Sequence, residues 1–244
     1  MTEMHKEVTV GLEAGAELHM PPMEKRPTRP IVSIPLNVAV RDEFVKGDPS
    51  FFGLLCFGMT TAMISFITTG WSRDEFMQVP KMYGLLYGGI AQLLVGLLEL
   101  IKGDSFAGTT FASFGCFWMG WGLLRFMSEQ LHAERQYSSS GYYHYYRPNY
   151  AATGEILWCS LWCVHSAGFL VVTARKNICM QVILLLTVIM FALQAAGVKD
   201  ENCYKASGYF GFGAAAAAIY AAFAFLWKVE LGWQLPGVAP TRYY

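Results

Sequence analysis

Charged side chains are scarce in this sequence. Lys, Arg, Asp and Glu make up 15% of its 244 residues, and 54% of the residues are hydrophobic, whereas an ordinary soluble domain carries about 25% charged residues. The formal net charge is zero, so the chain lacks the overall basic character that favours nucleic acid. The composition is typical of a membrane protein and predicts no nucleic-acid partner.

The sequence also has few residues that could form a catalytic or metal site at membrane depth. Its six cysteines are scattered. Cys159 and Cys163 share a predicted helix face with His165, but these are only three potential ligands, and a zinc site usually takes four. The acidic residues Glu99 and Glu155 fall near the ends of apolar runs rather than beside His165. We therefore expect no enzyme, no metal and no cofactor.

Long apolar runs are what the chain has instead. A helix needs about 20 apolar residues to cross a hydrocarbon core roughly 30 Å thick. Six segments meet that requirement: 50–70, 82–101, 107–127, 152–174, 178–198 and 206–228. Because a helix satisfies its own backbone hydrogen bonds inside the bilayer, the pattern predicts an all-α membrane protein, a bundle of six transmembrane helices.

The flanking segments are polar. Residues 1–47 contain five prolines and no apolar core of the kind that a cleavable signal needs, so we expect a mobile tail, with the first span acting as the insertion signal. Residues 48–230 form the predicted six-helix transmembrane domain, and 231–244 form a short C-terminal tail. With six spans, the larger share of the 18 Lys and Arg residues lies on the side of both termini, which predicts that both are cytosolic; the plasma membrane is the expected location.

Polar and small residues form stripes on three of the predicted spans. The stripes follow helical spacing and comprise Gly53, Phe57, Thr60 and Ile64 on the first span, Gln92, Gly96 and Glu99 on the second, and Thr110, Ser113, Phe117 and Gly120 on the third. Any one stripe is explained by hydrogen bonding between helices. Three together predict a narrow pore for a small polar solute.

Other features of the spans leave alternatives open. Glu99 and Lys102 are spaced for an ion pair at the end of the second span, or for a role in proton coupling. Gly84 and Gly88 are spaced for close helix contact, in a tight bundle, a tight oligomer or both. The connector 137–150 is rich in tyrosine and predicts either an interfacial aromatic belt or a lid over a pore.

The first span has a strong helix start. Asp48 can accept unpaired backbone N–H groups as an N-cap, and Pro49 at the first helical position has no N–H to lose. The pair predicts that Asp48 is mainly a cap. Its charge is expected to hinder an anion slightly, or to make its passage depend on pH.

The first three spans resemble those of the acetate uptake transporter family. The resemblance lies in "GLLCFGMTT", in "YGGIAQLLVGLLELIKGDSFAGTTFASFGCFW" and in the six-span layout. It implies a homohexamer of six-helix protomers, each with a central pore for acetate and related small carboxylates. It also implies a pore constriction formed by Phe57, Phe114 and Leu186, and an entrance signature in "DPSFFGL", where the family usually has Asn-Pro-x-Pro-Leu-Gly-Leu.

The polar stripes and the resemblance together predict a substrate pathway. Its residues are Asp48, Pro49, Gly53, Leu54, Thr60, Thr61, Gln92, Glu99, Thr110 and Ser113. The expected function is a transporter or channel for acetate, with propionate, lactate or succinate as further substrates and with protons as a coupled ion. Two alternatives remain: a channel for ammonia or ammonium, and a tetraspan-like structural or signalling membrane protein.

Overall fold

The computed structural model describes residues 47–72, 74–138 and 149–240, and in these ranges the chain is helical. Six long helices follow one another: α1 Ser50–Thr68, α2 Gln78–Lys102, α3 Ser105–Ser138, α4 Asn149–Thr173, α5 Ile178–Gly197 and α6 Glu201–Glu230. A short 3-10 helix, Asp74–Met77, precedes α2. Side chains are described for 47–72, 76–127 and 153–240. The N-terminal tail and the side chains of the tyrosine-rich connector lie outside these residues.

Five of the six helices are long and apolar enough to cross a membrane. The remaining helix, α3, does not reach the same hydropathy in its described part, because it carries many glycines, hydroxyl side chains and tryptophans. The prediction of an all-α membrane protein is therefore confirmed. The described residues thus hold one long apolar helix more than a tetraspan-like protein would have.

The helices form a closed ring in the order in which they occur in the chain. Helix α1 packs on α2 and α6, α2 packs on α3, and α5 packs between α4 and α6. Helices α3 and α4 meet mainly through large rings: Phe114 and Phe117 of α3 contact Trp162 of α4. Since successive helices run in opposite directions, α1, α3 and α5 all start at one end of the ring.

Small residues allow the close helix contacts within the chain. A methyl group at Gly88 of α2 would lie 2.7 Å from the side chain of Thr60 in α1, and one at Gly115 of α3 would lie 2.6 Å from the backbone nitrogen of Leu93. Gly84 faces Trp121 in the same way. The face formed by Gly84 and Gly88 thus serves the bundle of one protomer.

The middle of α2 is a π-helix. Residues Tyr83–Ala91 form it, between α-helical turns at Gln78–Met82 and Gln92–Lys102. It contains Gly84, Gly88 and Gly89, all buried. A π-helical turn holds an additional residue compared with an α-helical turn, so this segment sets the rotation of Gln92–Lys102 relative to the first part of the helix.

The C-terminal segment folds back onto the ring. The Cys179 backbone N–H, in the first turn of α5, donates to the Gly237 carbonyl over 3.2 Å, and Asn177 forms a bridge with Pro240. Val238 is buried in the core, and the Tyr220 hydroxyl donates to the Pro236 carbonyl. Residues 231–240 are therefore packed against the domain, although the sequence predicts only a short tail.

Candidate substrate pathway

Three helix starts meet at one end of the ring, and each has a side-chain cap. Asp48 Oδ1 accepts from the Ser50 N–H over 3.1 Å at α1. Asp104 Oδ1 accepts from the Ala107 N–H, and Asn177 Oδ1 accepts from the Met180 N–H, both over 3.0 Å, at α3 and α5. Asp48 therefore accepts a backbone N–H at the start of α1, as predicted, but from the position before the N-cap residue. Pro49 is the N-cap residue rather than the first helical residue, because the helix begins at Ser50.

A cavity of about 210 Å³ opens between these three helix starts. Its polar groups come from Asp48, Ser50, Asp104, Thr110, Lys176 and Asn177. Its walls are otherwise apolar and include Phe51, Leu54 and Phe57 from α1, Phe106, Ala107, Phe111 and Phe114 from α3, Met180, Ile183 and Leu184 from α5, and Phe225 from α6. The cavity thus has a polar mouth and an apolar interior.

The inner part of the cavity reaches a pair of aromatic rings. The centroids of Phe57 and Phe114 lie 5.5 Å apart with an edge-to-face angle of 63°, and both side chains are buried. Leu184 joins them in the lining. Leu186 is not among the lining side chains; it lies against α6, where a methyl group at Gly213 would lie 3.2 Å from its Cδ1.

A second layer of rings supports Phe114 from α4. Its centroid lies 5.8 Å from that of Trp162 and 6.3 Å from that of His165. The His165 ring also packs against Trp162 and Phe169, and its Nε2 atom is buried without a hydrogen-bond partner in the described part of the chain. The sequence analysis did not assign His165 to the pathway, yet its ring lies directly behind Phe114.

Charged groups cluster where α1 starts and α2 ends. The Lys102 ammonium lies 3.0 Å from Asp48 Oδ1 and 3.7 Å from Glu99 Oε2, and the Ser50 hydroxyl donates to Glu99 Oε1 over 2.5 Å. Glu99 is only 1% exposed. The predicted pair of Glu99 and Lys102 is confirmed, whereas the contact between Lys102 and Asp48 was not predicted.

The ionised form of Asp48 is favoured in this cluster. Partial burial raises its pKa, but the hydrogen bonds from Lys102 and Ser50 outweigh burial and hold the pKa below the usual value of 3.8. Asp48 therefore carries its negative charge at neutral pH, at the mouth of the cavity.

The other predicted pathway residues differ in position. Thr110 lines the cavity, and its buried hydroxyl oxygen has no hydrogen-bond partner among the described residues. Thr60, Thr61 and Gln92 are fully buried on α1 and α2, outside the cavity lining, and their side-chain polar atoms are likewise unpaired there. Gly53 contacts Val95 and Phe111 and so allows α1 to approach α2 and α3. Ser113 is half-buried next to Phe114.

Lys176 and Asn177 are lining residues that the sequence analysis missed. Both stand in the connection between α4 and α5, and the Lys176 ammonium lies 5.2 Å from the centroid of the Phe106 ring. A signal was present, since Asn177 precedes an apolar run as Asp48 does. Within the described residues, no group of three His, Cys, Asp or Glu side chains could hold a metal ion.

Comparison with known proteins identifies the family. Residues 36–240 match the GPR1/FUN34/yaaH family. The chain belongs to this family. It is 29% identical over 177 residues to the succinate-acetate/proton symporter SatP of Escherichia coli, a match that covers 72% of this chain and 86% of SatP. It is 27% identical over 195 residues to acetate permease A of Emericella nidulans, covering 72% of this chain and 60% of the permease.

The fold agrees with a solved structure. The structure of the bacterial acetate channel SatP superposes with a TM-score of 0.68 at 27% identity, and the match covers 79% of this chain and 99% of the channel chain. The proteins of this comparison are named as transporters and channels rather than enzymes.

Proposed function

We propose that this chain is a multi-pass membrane transporter or channel for acetate and related small carboxylates, including propionate, lactate and succinate. The observation that carries the proposal is the cavity between the starts of α1, α3 and α5, which ends at the rings of Phe57 and Phe114. Membership of a family that includes an acetate permease and an acetate channel supports it.

The mouth of the cavity suits an anion on physical grounds. Each helix start carries a partial positive charge of roughly half an elementary charge, and three of them point toward the cavity. Lys176 adds a full positive charge at the same place. Together these fields attract a carboxylate, even though Asp48 and Asp104 occupy part of the mouth.

Deeper in the cavity the carboxylate has to give up water. Burying a polar group without a hydrogen bond costs roughly 2–7 kcal/mol, and the unpaired hydroxyl of Thr110 offers one hydrogen bond on the way to Phe57 and Phe114. We propose that these two rings, with Leu184 in place of Leu186 as the third side chain, form the constriction. Thr60, Thr61 and Gln92 supply the polar groups beyond it.

Proton coupling is part of the proposal. Glu99 is buried and shares Lys102 with Asp48, and a buried ionisable group at a membrane protein's helix end is costly and often functional. We propose that protons enter through this cluster. The described part of α2 brings Glu99 directly to the start of α1, where Ser50 contacts both Glu99 and Asp48.

The assembly and orientation are further parts of the proposal. We propose that α3 is the sixth span, that each protomer has its own pore, that six protomers form a hexamer, and that both termini face the cytosol from the plasma membrane. An even number of spans supports placing residue 47 and residue 240 on one side. The exposed apolar side chains of α2 and α4 offer surface for lipid or for a second copy.

The proposal is tested with purified protein in liposomes that contain a pH-sensitive dye. An acetate gradient should drive labelled acetate uptake, and an accompanying change of internal pH would show proton coupling. Empty liposomes give the background. No uptake of acetate, propionate or lactate by correctly assembled protein would overturn the transport function, and ammonia flux that is unaffected by acetate would favour the ammonia channel instead.

A further inference from the structure

His165 is a titratable side chain at membrane depth to which the proposed pathway gives no role. It lies in the middle of α4, and its Nε2 atom is buried with no hydrogen-bond partner in the described part of the chain. An ionisable group at this depth is costly and is often functional. The position of its ring, directly behind Phe114, shows which part of the pathway it contacts.

Three aromatic rings pack on the imidazole ring of His165. Its centroid lies 4.9 Å from that of Trp162, 4.7 Å from that of Phe169 and 6.3 Å from that of Phe114, and each pair is edge to face. Phe169 also packs on Phe106, which lines the cavity as Phe114 does. The imidazole therefore supports one lining ring directly and reaches a second one through Phe169.

The charged residues nearest to His165 along the packed helices stand at the helix ends. Helix α4 packs on α3 and α5 in the described part of the chain. Glu155 and Arg175 are each ten residues from His165 in the sequence, which corresponds to about 15 Å at 1.5 Å per helical residue. The residues that flank the other two spans are Asp104 and Arg125 for α3, and Lys176 and Lys199 for α5.

Between these ends, the other titratable groups on the three helices are thiols. They belong to Cys116, Cys159, Cys163 and Cys179. Glu155, moreover, already pairs with Arg125 over 3.2 Å. A proton on the imidazole of His165 would therefore have no carboxylate beside it on α3, α4 or α5 within this layer.

Protonation changes what the imidazole ring attracts. A cation is attracted by an aromatic ring whose centroid lies within about 6 Å. Trp162 and Phe169 are inside that distance, and Phe114 is outside it. A protonated imidazole also donates from both nitrogen atoms, and Nε2 has no acceptor among the described residues. Both effects favour movement of the charged ring away from Phe114, toward the two nearer rings or toward water.

We propose that His165 is a positioning residue that makes the width of the constriction depend on pH. The neutral imidazole ring supports Phe114, whereas the protonated ring withdraws this support and leaves Phe114 free to turn aside. Longer carboxylates then pass more readily at low pH. This inference rests on the proposed function, and it names a regulation of the same site.

The experiment measures the uptake ratio of pentanoate to acetate in liposomes, with equal pH on both sides, from about pH 7.5 to about pH 4.5, a range around that in which histidine ordinarily changes its charge. The two acids have nearly the same acidity, so protonation of the solute largely cancels in the ratio, and empty liposomes give the leak at each pH. Asp48 stays ionised throughout, because its pKa lies below the usual value of 3.8. We expect the ratio to rise about 2- to 10-fold as the pH falls, the range that corresponds to the loss of one aromatic pair.

Substitutions of His165 separate the effect of the ring from that of its charge. His165→Phe keeps a ring behind Phe114 that takes up no proton, so its ratio should stay at the neutral-pH value of the original protein. His165→Tyr serves the same purpose if the Phe variant fails to assemble. His165→Ala removes the ring, so its ratio should be high at every pH. The matched control is Asp48→Asn, which removes a carboxylate at the mouth and should retain the rise.

A spectroscopic measurement tests the proton itself. Nitrogen-15 NMR of protein with labelled histidine gives the pH at which His165 takes up its proton, and the resonance is assigned by its loss in His165→Phe. The midpoint should coincide with that of the uptake ratio. An imidazole that stays neutral throughout the range would overturn the inference.

The remaining outcomes separate this inference from the proposed function. A ratio that does not change with pH, or a rise that persists in His165→Phe and so comes from another group such as Glu99, would overturn the inference and leave transport standing. An unchanged ratio in Phe114→Ala at neutral pH would overturn the constriction and this inference with it. Absence of uptake of any carboxylate would overturn the proposed function as well.

Discussion

At the scale of single residues, Phe57 and Phe114 come from different helices and meet edge to face at the inner part of the cavity. Each ring is buried, and Phe114 is held from behind by Trp162 and His165. Such support fixes the ring's orientation, which the proposed constriction requires.

Replacing Phe57 with alanine should widen the cavity and admit longer carboxylates. Removing a buried phenylalanine ring typically leaves a cavity and costs about 3–5 kcal/mol, so protein amounts must be matched. The measurement is uptake of pentanoate and hexanoate relative to acetate. Phe114→Ala should act alike, whereas Phe191→Ala removes a ring that is also buried but outside the lining, and it should leave the ratio as it was. Unchanged ratios in both cavity variants would contradict the constriction.

Substitutions of Asp48 can separate its capping role from the effect of its charge. Asp48→Asn keeps the acceptor for the Ser50 N–H and loses the ion pair with Lys102, so fold and transport should persist and acetate uptake near neutral pH should rise. Asp48→Ala also loses the cap, at a cost of about 0.5–2 kcal/mol, and should lower stability and uptake together. Thermal unfolding and acetate uptake are the measurements. An Asn variant that assembles normally but carries no acetate would make the charge essential.

The pH dependence of Asp48 has a defined sign. Its folded-state pKa lies below the usual value of 3.8, so its ionised form stabilises the folded protein above that value and loses this contribution as the pH falls through the folded pKa. The stability difference between the original protein and Asp48→Asn should therefore be constant from pH 5 to 7 and shrink below about pH 4. A difference that vanishes already near pH 6 would contradict the ion pair.

At the scale of the helices, their number and most of their bounds follow from the sequence. Apolar runs of membrane length predict where α1, α2 and α5 lie to within a few residues. The long extension of α3 to Ser138 was missed because polar residues in its last turns break the apolar pattern without breaking the helix. The π-helix in α2 was missed because an apolar run does not distinguish a π-helical turn from an α-helical one; its glycines pack closely against α1 and α3.

The position of Gly88 gives a prediction at this scale. A methyl group there would lie 2.7 Å from Thr60, so Gly88→Ala should push α1 and α2 apart and destabilise the protomer by about 1–3 kcal/mol. Thr60→Ala in the same chain should recover part of the loss. The control is Gly168→Ala on α4, which has no atom within 4 Å of an added methyl group. Equal unfolding temperatures for Gly88→Ala and Gly168→Ala would contradict the contact.

At the scale of the whole molecule, the alternation of helix directions assembles the site. Asp48, Asp104 and Asn177 are far apart in the sequence, but each precedes a helix that starts at the same end. The sequence predicted Asp48 as a cap, and predicted contact residues on single helices, such as Glu99 with Lys102. It could not predict Lys176 or Leu184 as lining residues, because Leu184 depends on how α5 is rotated in the ring and Lys176 on the path of the connection between α4 and α5.

The topology of the molecule can be tested directly. If α3 spans the membrane, fluorescent tags attached after residue 244 and before residue 1 should report the same, cytosolic side. A reporter inserted in the connector 139–148 should report the opposite side. Protease protection of tagged membrane vesicles is the measurement, and opposite locations for the two termini would contradict six spans.

The π-helix determines which way the end of α2 faces. Each residue of an α-helix contributes a rotation of about 100° and a rise of about 1.5 Å, whereas a π-helical turn holds an additional residue. If Tyr83–Ala91 formed regular α-helical turns with all nine residues retained, Gln92 and Glu99 would face another direction and Glu99 would lose Ser50. Such a rearrangement changes no residue and no charge, yet it would uncouple the buried end of α2 from the start of α1.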